Sequence, residues 1–484
     1  MKVCGIIVLA AVACGPAVAQ VQKTPQVPQV PQLPEQDRVL SRQIFKEFIE
    51  TNSQDSDGSV TAVSLLARKE LLKAGFAPED LILAGPNDRK QNLVVRYRGA
   101  ADSKLKPVLI ICHEDVVEAR RADWSTDPYT FVEKDSYFYG RGTQDMKDAD
   151  ADVVSTFVRL KREGYVPNRD IILALTADEE GGKSNGVSWL LKNRPELIQA
   201  EFVLNPDGEG PTLHEGKATE LLMEATEKTY ADYRISATNP GGHSSEPRPD
   251  NAIYELMHAL LKLESTPFPV ELNNVSRSEL EQMAKVSSPE VAATIQGVLK
   301  TPPDPKAIAD FSKDPEANAT LRTTCVATML QGGRAPNALP AVATANVNCR
   351  ILPGHSQEET RKTLIGIFDD PKLTVEYMAD DGTISPTAPN RESLPPPPLR
   401  ADVMDPLKQV TAQMWPGMVI IPSMEIGASD SVYTNMAGLP SYGIGGAAID
   451  DNGNRMHGRD ERIGVDAYYN SVEFFYLYLK ALTK

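Results

Sequence analysis

The chain has 484 residues, 41% of them apolar and 24% charged, enough for two or three domains with large cores. Its 50 basic and 66 acidic residues leave a net charge of -16, which argues against nucleic acid or an anionic membrane as the main partner. No internal apolar run is long enough to span a bilayer.

Residues 1–19 have the form of a secretory signal. Lys2 is the charged start, Val3 to Ala13 the apolar run, and Ala17-Val18-Ala19 a small-residue cleavage site before Gln20. The run is too short for a retained anchor, and Ala11-Val12-Ala13-Cys14 is a poor lipid-attachment motif. Export to a periplasm or beyond is expected. Cleavage would remove Cys4 and Cys14 and leave Cys112, Cys325 and Cys349, too few for a disulfide framework or a cysteine zinc site. Any metal ligands must then be His and carboxylates.

Residues 20–36 are Pro/Gln-rich and predict an extended tether. From residue 37 the pattern turns helical, with Leu40, Ile44, Phe45 and Phe48 on one stripe, and 62–74 repeats it. Segments 92–97 and 107–113 read as strands, the second apolar on both faces and therefore central. Tyr137-Phe138-Tyr139 reads as a strand that runs into a tight turn at Gly140 and Gly142. That turn holds Asp145 at a strand's carboxyl end, just before a helix over 149–163. A buried strand over 169–177, a helix around 187–192 and a strand over 201–205 follow. Such alternation implies an α/β fold, with a mostly parallel sheet covered by helices on both faces.

The character then changes. Residues 221–239 alternate, as antiparallel strands do, and Asp250 is placed to cap a helix over 251–263. The 266–320 stretch is polar and helix-leaning. Strands are expected at 323–330 and 342–352, joined by a Gly/Pro/Asn loop, then a helix at 359–368 and a strand at 373–378. This is an α+β insert, followed by the linker-like Pro395–Pro398 run. The expected organisation is a leader (1–19), a tether (20–36), a catalytic domain in two parts (37–228 and 385–484) and an inserted lid or dimerisation domain (229–384).

Five segments carry candidate ligands. His113 and Asp115 end the 107–113 strand; Asp115 could fix the imidazole tautomer or orient another ligand. Asp145 lies in the Gly-rich turn. Glu179-Glu180 precedes two glycines, where adjacent acids are costly unless solvated or countered by cations. Asp207 follows a strand in Asn205-Pro-Asp-Gly-Glu, with Glu209 as a rival, and His457 sits in a late loop. Singly, each has an ordinary explanation: a polar strand end, a helix cap, a solvated acidic loop, an Asx turn, a surface His. Together, two imidazoles and three carboxylates suit a pair of divalent ions bridged by one carboxylate.

The combination His113-x-Asp115, Gly140-Arg-Gly-Thr-x-Asp145-Met-Lys, Glu179-Glu180, Gly241-Gly-His-Ser-Ser245, Asn337, Arg350, Gly427-x-x-Asp430 and His457-Gly-x-x-Glu461 resembles the zinc peptidases of family M20, in order, from about residue 38 onward. Asp115-Val-Val-Glu through Trp124 to Asp127-Pro-Tyr is most similar to the carboxypeptidase and dipeptidase branch. The resemblance implies one metal on His113, Asp145 and Asp207, another on Asp145, Glu180 and His457, and Glu179 as general base. It implies a cis bond at Asp145–Met146 and His243 as an oxyanion donor reaching across a homodimer. Asn337 and Arg350 would hold the substrate and its carboxylate. Two divalent ions, zinc first and cobalt or manganese next, would serve an exopeptidase acting on small peptides. The alternatives are an N-acyl amino acid deacylase and a metal-free binding module on the same fold. Cys325 and Cys349 fall almost opposite each other if their strands pair; a flat antiparallel pair resists disulfide geometry, so free thiols are the expected state.

Overall fold

The computed structural model describes residues 32–379, 382–390, 394–449 and 455–484. The 1–19 leader and most of the tether lie outside the described residues. The first helix, Glu35–Ile49, starts two residues ahead of the expected point. No helix among the described residues is long and apolar enough to cross a membrane.

The Val108–His113 strand is buried along its whole length. It lies inside a nine-stranded sheet, between Ile171–Thr176 and Phe202–Asn205. Its alternate side chains enter two different cores. Val108, Ile110 and Cys112 meet the helices Glu35–Ile49, Lys147–Arg162 and Val465–Leu482. Leu109 and Ile111 meet Val187 and Leu190 of the Gly186–Asn193 helix on the other face. That double burial explains the unbroken apolar run.

Ile171–Thr176, Val108–His113, Phe202–Asn205 and Ser441–Gly443 are neighbours and all run parallel. Their carboxyl ends therefore leave the sheet along one edge, where open α/β sheets place their sites. Beyond Ser441–Gly443 come Lys217–Glu227 and, at the sheet's end, Val419–Glu425.

The alternating 221–239 stretch is not one antiparallel pair, as its pattern suggests. Lys217–Glu227 stays in the large sheet, parallel to Val419–Glu425, whereas Thr229–Thr238 opens a second sheet. Between them Lys228 is fully buried, its Nζ donating to the Arg322 carbonyl at 2.7 Å. Alternation reports one covered face per strand, not which strand is the neighbour.

The second sheet has five antiparallel strands, ordered Thr324–Gly332, Val342–Ile351, Thr229–Thr238, Leu373–Met378 and Ile384–Ser385. The helices Ala252–Ser265 and Gln357–Phe368 cover it, and its core (Tyr233, Ile235, Val347, Leu364, Phe368) is separate from the large one. The first of these helices is capped by Asn251, whose side chain accepts from the Ile253 N–H at 2.9 Å, not by Asp250, which Arg248 engages. Four helices between Asn274 and Leu321 form a further small core, and the first of them, Asn274–Val286, packs on the Val419–Glu425 strand. There the Glu279 carboxylate accepts from the Met424 N–H at 3.0 Å.

Cys325 and Cys349 are paired across their strands and bonded, which corrects the expectation of free thiols. Their Cα atoms approach to 4.1 Å. Narrow, non-hydrogen-bonded positions of an antiparallel pair come that close, and a bulge between Ala327 and Met329 adds local twist. Cys112 is buried and free. Alkylation under denaturing, non-reducing conditions should therefore label Cys112 but neither Cys325 nor Cys349, with both appearing after reduction. Cys325→Ser should lower the unfolding free energy by about 3 kcal/mol in urea titration, as for a cross-link closing a loop of this size.

Candidate metal centre

His113 is brought to the sheet edge by its buried strand, in register with Thr176. Its Nδ1 donates to the backbone carbonyl of Asp115 at 3.1 Å, which leaves Nε2 free to face the cleft. The Asp115 side chain has a different task. Its two oxygens accept the Glu179 and Glu180 N–H groups at 3.1 and 3.0 Å and so fix the turn that carries both acids. The two alternatives left open for Asp115 are thus divided between its carbonyl and its carboxylate.

Asp145 stands between two imidazoles. His113 Nε2 lies 3.0 Å from Oδ1, and His457 Nε2 lies 2.9 Å from Oδ2. Asp207 Oδ1 is 3.7 Å from His113 Nε2, and Glu180 Oε1 is 2.9 Å from His457 Nε2. Two triplets result, His113–Asp145–Asp207 and Asp145–Glu180–His457, the ligand atoms of each within 4.8 Å of one another. Asp145 belongs to both. Of the rivals Asp207 and Glu209, it is Asp207 that converges.

The turn that aims Asp145 is held from two sides. Glu461, fully buried, accepts from the N–H groups of Gly142, Gln144 and Asp145 and pairs with Arg141 at 2.5 Å. Lys147, also fully buried, donates to the carbonyls of Phe48 and Thr51 and ties the next helix to the end of the first. Gly142 has φ +87°, and a Cβ there would press on Lys147 and Val116 at 3.0 Å. The Asp145–Met146 peptide bond is cis. Glu461 belongs to the quoted motif, but its role depends on partners some 320 residues away, and spacing could not reveal them. Asp430 is similar: buried, it accepts from Asn185 Nδ2 at 2.5 Å and from Thr176 Oγ1 at 3.3 Å.

The electrostatics ask for cations. Burial pushes Glu179 well above the carboxylate range and takes Glu180 and Asp430 up to about 7. Hydrogen bonds from Asp145 and Glu180 take His457 up to about 10. Burial opposes ionisation of Asp145, but the two imidazoles hold it below the usual range. The Asp145 Oδ1 contact with His113 lacks hydrogen-bond geometry, so this oxygen is buried without a hydrogen-bond partner. A buried orphan carboxylate oxygen, facing an imidazole nitrogen and a second carboxylate, fits a hard or borderline divalent ion.

His243 and Asn337 are not part of this cluster. They lie together on the second domain, where Gly242–His243 pairs with Ala338–Leu339 and the Ser244 N–H donates to the Asn337 carbonyl. Both are exposed, and neither lines the central cavity. Arg350 lies opposite Tyr230, its guanidinium 4.8 Å from the ring centroid, with no salt bridge among the described residues.

Comparison with known proteins agrees with this arrangement. The model of peptidase family M20/M25/M40 matches residues 109–481. Human N-fatty-acyl-amino acid synthase/hydrolase PM20D1 is 27% identical over 78% of this chain and 74% of its own length. A probable carboxypeptidase S-like protein of Dictyostelium discoideum is 28% identical over 81% and 75%. Among solved structures, an M20 family metallo-carboxypeptidase from Sulfolobus solfataricus superposes with a TM-score of 0.66 at 16% identity, covering 92% of this chain and 99% of that one. The chain belongs to peptidase family M20/M25/M40 and is a metal-dependent hydrolase.

Proposed function

We propose that the chain is an exported two-metal exopeptidase of the carboxypeptidase or dipeptidase type, which hydrolyses an amide bond of a small peptide bearing a free carboxylate. The observation that carries this reading is the placement of Asp145 between two imidazoles, each in its own triplet. His113, Asp145 and Asp207 would hold one ion, and Asp145, Glu180 and His457 the other, with zinc, cobalt or manganese as candidates. Bound there, the ions supply Lewis-acid polarisation of the scissile carbonyl and lower the proton affinity of the attacking water toward a pKa of about 7.

Glu179 takes the proton that the water gives up and delivers it to the leaving nitrogen as the C–N bond breaks. Its burial suits that exchange, because a carboxylate raised toward neutrality is both an adequate base and a usable acid. Asp115 keeps Glu179 and Glu180 in position through their N–H groups. Arg350, free of salt bridges among the described residues, offers a planar fork for the substrate carboxylate. His243 and Asn337 project from the second domain, outside the central cavity. In a homodimer built through that domain, His243 of the partner subunit would reach this site and steady the oxyanion. The second reading, hydrolysis of an N-acyl amino acid, is favoured by the similarity to the PM20D1 proteins.

Four measurements test the reading. Chelator-stripped, reloaded protein should bind two divalent ions per chain, and Asp145→Ala should abolish both sites. Glu179→Gln should keep both ions and the fold while losing about 10²–10⁴ in kcat, with little change in KM. Mixing inactive Glu179→Gln and His243→Ala chains should restore turnover, because one mixed site combines an intact Glu179 with an intact partner His243; no recovery after subunit exchange would place His243 outside catalysis. Gly-Xaa dipeptides and N-acyl amino acids, assayed side by side with each metal, separate peptidase from deacylase.

A further inference from the structure

The cavity above the ligand cluster encloses about 480 Å³ and continues beyond it. Asp145, Glu180, Asp207 and His457 line it, and so do Glu209, Glu224 and Glu425. The last two stand on Lys217–Glu227 and Val419–Glu425, three and four strand positions away from the strand of His113. At about 4.8 Å per strand that is roughly 14 and 19 Å across the sheet, and Asp207 already lies one strand along the way. Glu224 and Glu425 nevertheless line the same cavity as Asp207 and lie close enough to it for their charges to interact, so a substrate whose amide sits at the metals extends along them.

These acids are arranged without the cations that crowded carboxylates need. Among the described residues, the carboxylates of Glu209 and Glu224 have no hydrogen-bond or ion-pair partner; only the Glu209 backbone carbonyl is engaged, by the Gly445 N–H at 3.1 Å, and the Glu224 backbone by its neighbours in the sheet. The Glu425 Oε1 is held by the Gly427 N–H. A Cβ at Gly443 would lie 2.2 Å from Glu224 Oε2, so that glycine is what leaves room for the carboxylate. Glu316 of the four-helix insertion adds a further negative charge beside Glu209 and Glu425. Arg350 is near Glu425 but forms no salt bridge with it among the described residues. Independently, Asp148 lines the same cavity, is 5% exposed, and has a buried Oδ1 with no partner.

A third metal ion does not suit this wall. Among the described residues only two ligand triplets converge, and neither contains Glu209, Glu224, Glu425 or Asp148. Carboxylates spread along a cavity match instead an organic cation, whose several N–H donors point in different directions. A fatty acyl chain would bury the same carboxylates against hydrocarbon, at high cost.

We infer that this wall recognises a cationic group of the substrate, an alkylammonium or guanidinium, and that Glu224 and Glu425 determine specificity for it. The inference rests on the cavity being the hydrolytic site, and it narrows the substrate to amides that carry a positive charge.

The test compares Lys-Xaa with norleucine-Xaa dipeptides, each with a free and an N-acetylated α-amine. The two pairs separate a side-chain cation from the terminal ammonium. kcat/KM should favour the charged member of at least one pair by about tenfold or more. The Glu224→Gln/Glu425→Gln variant should bring that ratio to within about threefold of unity, with circular dichroism reporting its fold and either single variant serving if the pair misfolds. Equal kcat/KM within both pairs overturns the inference while leaving the hydrolase intact, and so does a preference that survives the substitutions. Calorimetric binding of L-lysine and L-norleucine, each with a free and an acetylated α-amine, to the metal-loaded protein reads the same two pairs without turnover. If no peptide is cleaved, the hydrolytic reading fails, and tighter L-lysine binding that is lost in the variant still upholds the acidic wall.

Discussion

Asp145 offers one carboxylate oxygen to each of two imidazoles, and much of the structure exists to keep it there. His113 comes from a central strand and His457 from a loop near the end of the chain, so neither can adjust independently of the fold. The Asp145 backbone is fixed by Glu461, and the helix that follows is anchored by Lys147. Both are charged side chains buried completely, a costly arrangement kept where their hydrogen bonds are satisfied. Their cost is met by the hydrogen bonds that make the turn over residues 140–146 rigid enough to aim one carboxylate.

The same constraint explains the distribution of negative charge. Four parallel strands deliver their following residues to one edge, and after three of them those residues include acids: Glu114 and Asp115, Glu179 and Glu180, Asp207. Burial raises the proton affinity of several of them, because each carboxylate leaves water in the company of others. Such a site is under electrostatic tension until cations enter, and its affinity for them is the counterpart of that tension. The four-helix insertion closes the Val419–Glu425 end of the sheet, where its Glu279 takes up a backbone N–H that would otherwise point to solvent.

Much of this was legible in the residues. The unbroken apolar runs at 108–113 and 171–176 identify buried parallel strands, and the acids that follow them identify the edge that holds the site. Asp207 could be preferred to Glu209 but not decided, since both follow the same strand and only the third dimension brings one to His113. The double use of Asp115, carbonyl for one neighbour and carboxylate for two others, leaves no trace in spacing. Glu461 and Asp430 were visible as motif members, yet their partners lie hundreds of residues away. The break at Lys228 escaped the pattern for another reason: strands on either side alternate alike, and a change of sheet alters neighbours without altering periodicity. The cysteines were correctly placed opposite each other, but the closeness of their backbones depends on twist, which side-chain alternation does not encode.

The position of Ser441–Gly443 between Phe202–Asn205 and Lys217–Glu227 has a consequence for biosynthesis. As the polypeptide emerges from the ribosome, the large sheet retains a gap in its middle until Ser441–Gly443 has been made. The second sheet, with its disulfide, is complete within residues 229–385 and can close first. A nascent chain that stops short of Ser441 lacks both the strand that fills the gap and the last imidazole of the cluster, and one that stops between Gly443 and His457 lacks the imidazole alone. Assembly of the centre is thereby deferred until His457 has been made, and products truncated before it have no means of capturing metal at both positions.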